Sequence, residues 1–132
     1  MPEFTVQMTV RDYECDLQAR VNNAVYQSYL EHARHLFLKT RGVDFPALTA
    51  SGIHVMVIRA ELDYRRSLSP GDTFVVHLHT ERVSRLRMAF VQRIELVSGG
   101  ELVLEARFVV AAVNGKGKPC YVPQLEVLLA SR

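Results

Sequence analysis

The sequence predicts an α+β fold in which one long helix covers a face of an antiparallel sheet of about five strands, and three observations carry that expectation. Apolar side chains recur at steps of four, three and four residues from Tyr26 through Leu30 and Ala33 to Phe37, the spacing of one helix face. From Ile53 to Val113 the pattern changes to alternation, the period of strands. Turn-forming clusters at Ser69-Pro70-Gly71-Asp72, Ser98-Gly99-Gly100 and Asn114-Gly115-Lys116-Gly117 divide and close that run. With 132 residues the chain is expected to be a single domain, 1–132, large enough for a sizeable core.

Taken in order, Phe4, Val6, Met8 and Val10 alternate with Thr5, Gln7 and Thr9, which reads as a half-buried first strand. Asn22 is a favourable N-cap, and the helix is expected from Asn23 to about Arg41. Lys39 and Arg41 lie in its last turn, Gly42 suits the position after it, and Pro46 follows. A short helical turn is expected around Phe45-Pro46-Ala47-Leu48. Ile58, Ala60, Leu62 and Tyr64 then alternate with Arg59, Glu61, Asp63 and Arg65, giving one dry and one wet face. The next strand sets Phe74, Val76 and Leu78 against His77, His79 and Glu81; the following one carries Leu86, Met88 and Phe90; the last runs from Leu102 to Val113. Ala106 to Val113 is apolar on both sides except at Arg107, and Val55, Val57 and Val75 add apolar side chains that the helix is not expected to cover. A sheet dry on both faces packs on something, so self-association is expected.

Bulk properties narrow the function. Hydrophobic residues make up 48% and charged residues 23%, with a formal net charge of +2, too small to argue for a nucleic-acid partner. No apolar run approaches the length that crosses a bilayer, and Met1-Pro2-Glu3-Phe4 lacks a signal-peptide start, so a soluble cytoplasmic protein with no membrane partner is expected. Cys15 and Cys120 match no metal or redox spacing and read as reduced thiols. Glu31-His32-Ala33-Arg34-His35 is not the zinc-protease order, and His77 with His79 lacks an evident third ligand, so no metal and no cofactor is expected.

The chemistry concentrates where an acidic loop, Asp12 to Asp16, runs into the helix start. The first amide N–H groups of a helix lack partners within it and, with the helix dipole, favour negative charge. A carboxylate beside preorganised donors is a hydrolytic arrangement: one activates water or attacks, the other stabilises an oxyanion. Asp16 is that carboxylate on one reading, and a loop residue helping to cap the helix on the other.

The run Tyr13-Glu14-Cys15-Asp16, then Val21-Asn22-Asn23-Ala24-Val25-Tyr26, then Tyr29-Leu30-Glu31-His32-Ala33-Arg34, resembles the signature of hot-dog-fold thioesterases of the 4-hydroxybenzoyl-CoA thioesterase type. Val10-Arg11-Asp12-Tyr13-Glu14 followed by Val21 to Tyr26 is especially similar to the acyl-lipid thioesterases of plants and their bacterial relatives. The likeness extends through Pro70-Gly71-Asp72 and nearly the whole chain. It implies a hot-dog fold and hydrolysis of an acyl-CoA or acyl carrier protein thioester, with Asp16 as the catalytic acid, acting as general base or nucleophile, and the Asn23 backbone N–H as oxyanion donor. It also implies a homodimer, pairing again into a homotetramer, with sites at the dimer interface. Tyr26 and Tyr29 are candidate walls of an acyl tunnel between helix and sheet, Phe37 beside them, all three equally readable as core. Glu31 is a second candidate acid or a surface partner of Arg34 or His35. Arg85 and Arg87, with Arg82, Arg65 and Arg66, are candidates for gripping carrier phosphates. Many relatives carry Gly three residues after the acid, where this chain has Ala19 followed by Arg20. Glycine reaches positive φ that alanine resists, so the loop is expected to run differently here.

Three rivals differ in what they require. A dehydratase needs a catalytic His that the stretch around Asp16 lacks. A non-catalytic acyl-CoA-binding hot-dog protein keeps the pocket and needs no acid. A structural oligomer needs neither.

Overall fold

A computed structural model describes residues 3–129. Strand β1 (Phe4–Thr9) leads through a 3-10 turn (Asp12–Glu14) to helix α1 (Asn23–Thr40) and a short helix α2 (Phe45–Ala50). Strands β2 (His54–Tyr64), β3 (Thr73–Arg82), β4 (Arg87–Leu96) and β5 (Leu102–Val113) follow, then a two-residue β6 (Pro119–Cys120), a 3-10 turn (Pro123–Leu125) and α3 (Glu126–Leu129). The long strands lie in the order β1-β3-β4-β5-β2, all neighbours antiparallel, with β6 added to β5.

Helix α1 begins and ends as its sequence dictates. Asn22 caps it, its side-chain oxygen accepting from the Ala24 amide at 3.0 Å. At the far end Gly42 takes φ +72, and the Val43 amide turns back to the Leu38 carbonyl. The expected stripe Tyr26, Leu30, Ala33 and Phe37 is buried, joined by Tyr29 and Leu38. It packs on Phe74, Val76 and Leu78 of β3 and on Phe90, Ile94, Leu104 and Phe108 of β4 and β5. Phe37 meets Phe4 edge-on at 5.5 Å and Phe90 at 6.3 Å, which locks helix to sheet.

Two expectations are corrected. In β2 the register slips between Val57 and Arg59, so a bulge at Ile58 breaks the alternation. Val55 and Val57 therefore lie on the helix side, and Ile58 leaves it. The strand is the edge of the sheet, with Met56, Val57, Ile58 and Tyr64 all 46–50% exposed. The sheet face away from α1 is also less dry than expected. Glu3 gathers there with His77, His79 and Arg93, the last at 2.9 Å, while His77 reaches Glu95 at 2.8 Å. The part beside Ala89, Val109 and Ala111 is apolar and buried.

Candidate active site

The loop from Cys15 to Val21 is a minimal hairpin whose turn is built from the Asp16 side chain. Cys15 and Val21 form an antiparallel bridge. Inside it the Asp16 amide donates to the Arg20 carbonyl at 2.8 Å, and the Ala19 amide donates to the Asp16 carbonyl at 3.0 Å. Asp16 Oδ1 accepts from the Gln18 amide at 2.9 Å and from the Arg20 amide at 3.2 Å. Such a carboxylate is fixed by backbone donors and not by a rotamer alone. Its second oxygen, Oδ2, has no hydrogen-bond partner among the described residues. Ala19 sits at φ 58, the one non-glycine residue with positive φ among those described. Alanine adopts the left-handed conformation here, with the two amides flanking it committed to Asp16.

Long-range contacts place this hairpin beside the helix start. The Val21 amide donates to the Leu68 carbonyl at 3.0 Å, and the Asn22 amide to the Glu14 carbonyl at 3.1 Å. Asn22 then satisfies the Ala24 and Val25 amides through its side chain and carbonyl. The Asn23 amide, next to them at the first helical position, has no acceptor among the described residues. Asp16 and Asn23 are both exposed, on a hairpin and a helix start that the Cys15–Val21 bridge joins and Leu68 holds from below.

The two tyrosines support this corner from inside. Tyr26 is 2% exposed, and its hydroxyl oxygen accepts from the Leu68 amide at 2.8 Å. Tyr29 is 6% exposed and donates from its hydroxyl to Glu14 Oε1 at 2.7 Å; burial first, and then this bond, raise its phenol well above the usual tyrosine range. Both lie in the core under the loop, and neither is among the residues lining the cavity along α1. Partial burial, and then the charges of Asp12, Asp16 and Glu14, raise the Cys15 thiol, which disfavours the thiolate a nucleophile would need.

A cavity of about 580 Å³ opens between α1, α2 and the sheet, within the range of small-molecule sites. Val55, Val57, Met88, Phe90 and Val110 form its apolar floor, and Glu31, His32, His35 and Lys39 stand along α1. Of the expected substrate residues, Glu31 lines it. Arg85 and Arg87 do not. They lie in the β3–β4 hairpin, beside Arg82 and Tyr121, at the end of the strands opposite the Asp16 loop. Arg82 is paired there with Glu126, and Arg85 lies 5.6 Å over the Tyr121 ring.

Sequence reasoning missed two residues in this cavity region. Arg34 turns inward to Gln92 Oε1 at 3.0 Å, and no ion pair joins it to Glu31 among the described residues. The available signals were its position four residues after Leu30 and the placement of Gln92 at an inward position of β4, between Phe90 and Ile94.

No group of three His, Cys, Asp or Glu side chains among the described residues could hold a metal ion. No helix among them is long and apolar enough to cross a membrane.

This fold, with an acidic loop at the start of its long helix, defines a class: residues 10–130 match the Thioesterase-like superfamily, and the chain belongs to it. Its architecture is the hot-dog fold. The chain is 34% identical over 124 residues, 93% of its length, to the chloroplastic acyl-acyl carrier protein thioesterase ATL3 of Arabidopsis thaliana, and spans 65% of that relative. It is 28% identical over 110 residues to the long-chain acyl-CoA thioesterase FadM of Escherichia coli, covering 83% of each chain. The crystal structure of Slr0204, a 1,4-dihydroxy-2-naphthoyl-CoA thioesterase from Synechocystis, superposes with a TM-score of 0.91 over 97% of this chain and 96% of that one. At 15% identity that match establishes the fold alone.

Proposed function

We propose that this chain is a single-domain thioesterase that hydrolyses an acyl-CoA or acyl carrier protein thioester to the free acid and thiol. The observation that supports the reading is a backbone-fixed carboxylate, Asp16 with Oδ2 left open, in the loop that runs into a helix start whose Asn23 amide is unengaged. Family membership supplies the chemistry for which such a pair is suited. In the proposed reaction the Asn23 N–H donates to the thioester carbonyl oxygen while Asp16 takes a proton from water. The hydroxide equivalent adds to the carbonyl carbon, the C–S bond breaks, and the leaving thiolate recovers the proton. Attack by Asp16 itself, giving a mixed anhydride that water then opens, balances equally and uses the same two groups. An oxyanion donor of this kind is worth about 3 kcal/mol of barrier.

The acyl chain is proposed to occupy the cavity along α1, near Glu31, because its floor is apolar and it adjoins the helix that carries Asn23. The assembly is proposed to be a homodimer joined through β2, pairing further into a homotetramer. The exposed, unpaired edge of β2 supports this, and so does the position of the arginines. A two-fold axis across β2 sets its His54 end beside the partner's Tyr64 end, which brings one protomer's Arg85 and Arg87 to the same side as the other's Asp16. There they would grip the phosphates of the carrier.

The test is thiol release from a panel of acyl-CoA and acyl carrier protein thioesters, for the intact protein and for Asp16→Asn. Loss of activity by orders of magnitude in a folded variant is expected. Binding of acyl-CoA without release by either protein would replace the enzyme with a non-catalytic acyl-CoA-binding protein.

A further inference from the structure

The cavity beside α1 contains a group that a plain hydrocarbon chain leaves unused. Arg34 reaches into it from α1, with Nη1 donating to Gln92 Oε1 at 3.0 Å and its guanidinium carbon 4.1 Å above the Phe108 ring. Gln92 is 2% exposed and is fixed from its other end, where Nε2 donates to the Leu30 carbonyl at 3.0 Å. The guanidinium is thus held by a stacked ring and by an amide that is itself held. No carboxylate lies within ion-pairing distance of it among the described residues, whereas Arg93 and Arg107 on the opposite sheet face each have one. A guanidinium carries five N–H donors, and Gln92 takes one of them. The other nitrogens are not sealed in the core without partners, and Arg34 is among the residues that line the cavity. Burial lowers the pKa of Arg34, with the charge of Glu31 opposing the shift, yet a guanidinium stays protonated in this setting. A positioned cation beside an apolar floor favours an acceptor that arrives to meet it.

Its position along the helix says which acceptor. Asn23 and Arg34 are eleven residues apart, and at 3.6 residues per turn they return to nearly the same helix face about 16 Å apart. An oxygen next to the thioester lies too near Asn23 to reach Arg34. We propose that Arg34 is a specificity-determining residue that selects acyl groups carrying a hydrogen-bond-accepting oxygen, a carboxylate or a hydroxyl, in the distal part of the chain. The proposal rests on the thioesterase reading for its placement of the carbonyl, and on the cavity alone for the binding of the distal group.

The experiment uses medium-chain acyl-CoA thioesters of matched length that end in a methyl, a hydroxyl or a carboxylate, together with the corresponding free acids. Thiol release is measured for the intact protein and Arg34→Met, which keeps an unbranched apolar stem and removes the donors. Binding of the free acids is measured by calorimetry on the same proteins. The intact protein is expected to favour an oxygen-ended chain over the methyl-ended one by about tenfold or more, and Arg34→Met to abolish that preference while still using the methyl-ended chain. Preference for carboxylate over hydroxyl, or the reverse, tells the two sources apart. Equal use of all three chains by the intact protein overturns the proposal, as does an equal loss on all three in Arg34→Met. Should no thioester be cleaved while the oxygen-ended acids still bind in an Arg34-dependent way, the catalytic reading fails and the selectivity stands. If Arg34→Met does not fold, the intact protein's preference decides.

Discussion

The Tyr29 hydroxyl donates a 2.7 Å hydrogen bond to Glu14 Oε1, and that same oxygen accepts the Arg11 amide at 2.8 Å. One side chain of α1 thus holds both ends of the 3-10 turn that delivers the chain to Asp16. Tyr29→Phe keeps the ring and leaves a largely buried carboxylate short of a donor. A loss of about 1.5–3 kcal/mol is expected in chemical denaturation. Thiol release is expected to fall severalfold in kcat with little change in KM, since Tyr29 supports the loop and touches no substrate in the proposed site.

Ala19 is held at φ 58, where a Cβ is unfavourable. Ala19→Gly removes a left-handed cost of roughly 1–2 kcal/mol and adds back part of it through the freer unfolded chain. The expected net effect is a gain of about 0.5–1 kcal/mol, read as a higher thermal midpoint. Ala19→Val is expected to shift the midpoint the other way.

Glu3 shows how acid should act on the sheet. Burial by itself would raise its carboxyl, but hydrogen bonds from His79 and Arg93 outweigh it and leave the group below its ordinary 4.5. A carboxyl lowered in the folded state contributes stability above its unfolded pKa and loses it as pH falls through the folded value. The urea midpoint of the intact protein is therefore expected to drop on acidification below about pH 4.5. Glu3→Gln should start lower at neutral pH and fall less in acid; a curve parallel to that of the intact protein would rule this account out.

Ile58 stands on the bulge of the edge strand, 47% exposed. Ile58→Lys places a charge on the edge proposed to join two protomers. The variant is expected to sediment as a monomer and to lose thiol release, because Arg85 and Arg87 would no longer be supplied from across the interface. A dimeric, active Ile58→Lys would move the interface elsewhere.

The helix was the most legible part of the chain. Asn22, the Tyr26-to-Phe37 stripe and Gly42 are local signals that act through a few residues each, and α1 runs from Asn23 to Thr40 as they require. The strands of the central sheet were equally plain at Phe74, Val76 and Leu78, where alternation matches burial. What local pattern could not convey is which partner each strand finds. The bulge at Ile58 depends on pairing with β5, and the ionic group around Glu3 on residues more than seventy positions away. At the candidate site Asp16 and Asn23 were singled out by the family resemblance, with residue type and spacing leaving a capping role open, and the contacts that place them were not legible. Tyr26 and Tyr29 were readable equally as tunnel walls or as core, because an aromatic on a buried helix face reads the same whether it meets a ligand or Leu68. Arg34 looked like a surface residue because the acceptor that draws it inward, Gln92, lies on another strand.

The link from Val21 and Tyr26 to Leu68 also fixes an order in time. Strand β1 pairs with β3 and with no earlier segment, so the first fifty residues have no sheet to join while they are being synthesised. The helix can form early, but the corner bearing Asp16 has nothing beneath it until the ribosome has released Leu68 and then β3. A nascent chain arrested before that point would carry both candidate residues and the local hairpin around Asp16 without the support that docks it, so activity should switch on late in translation and not grow in step with length.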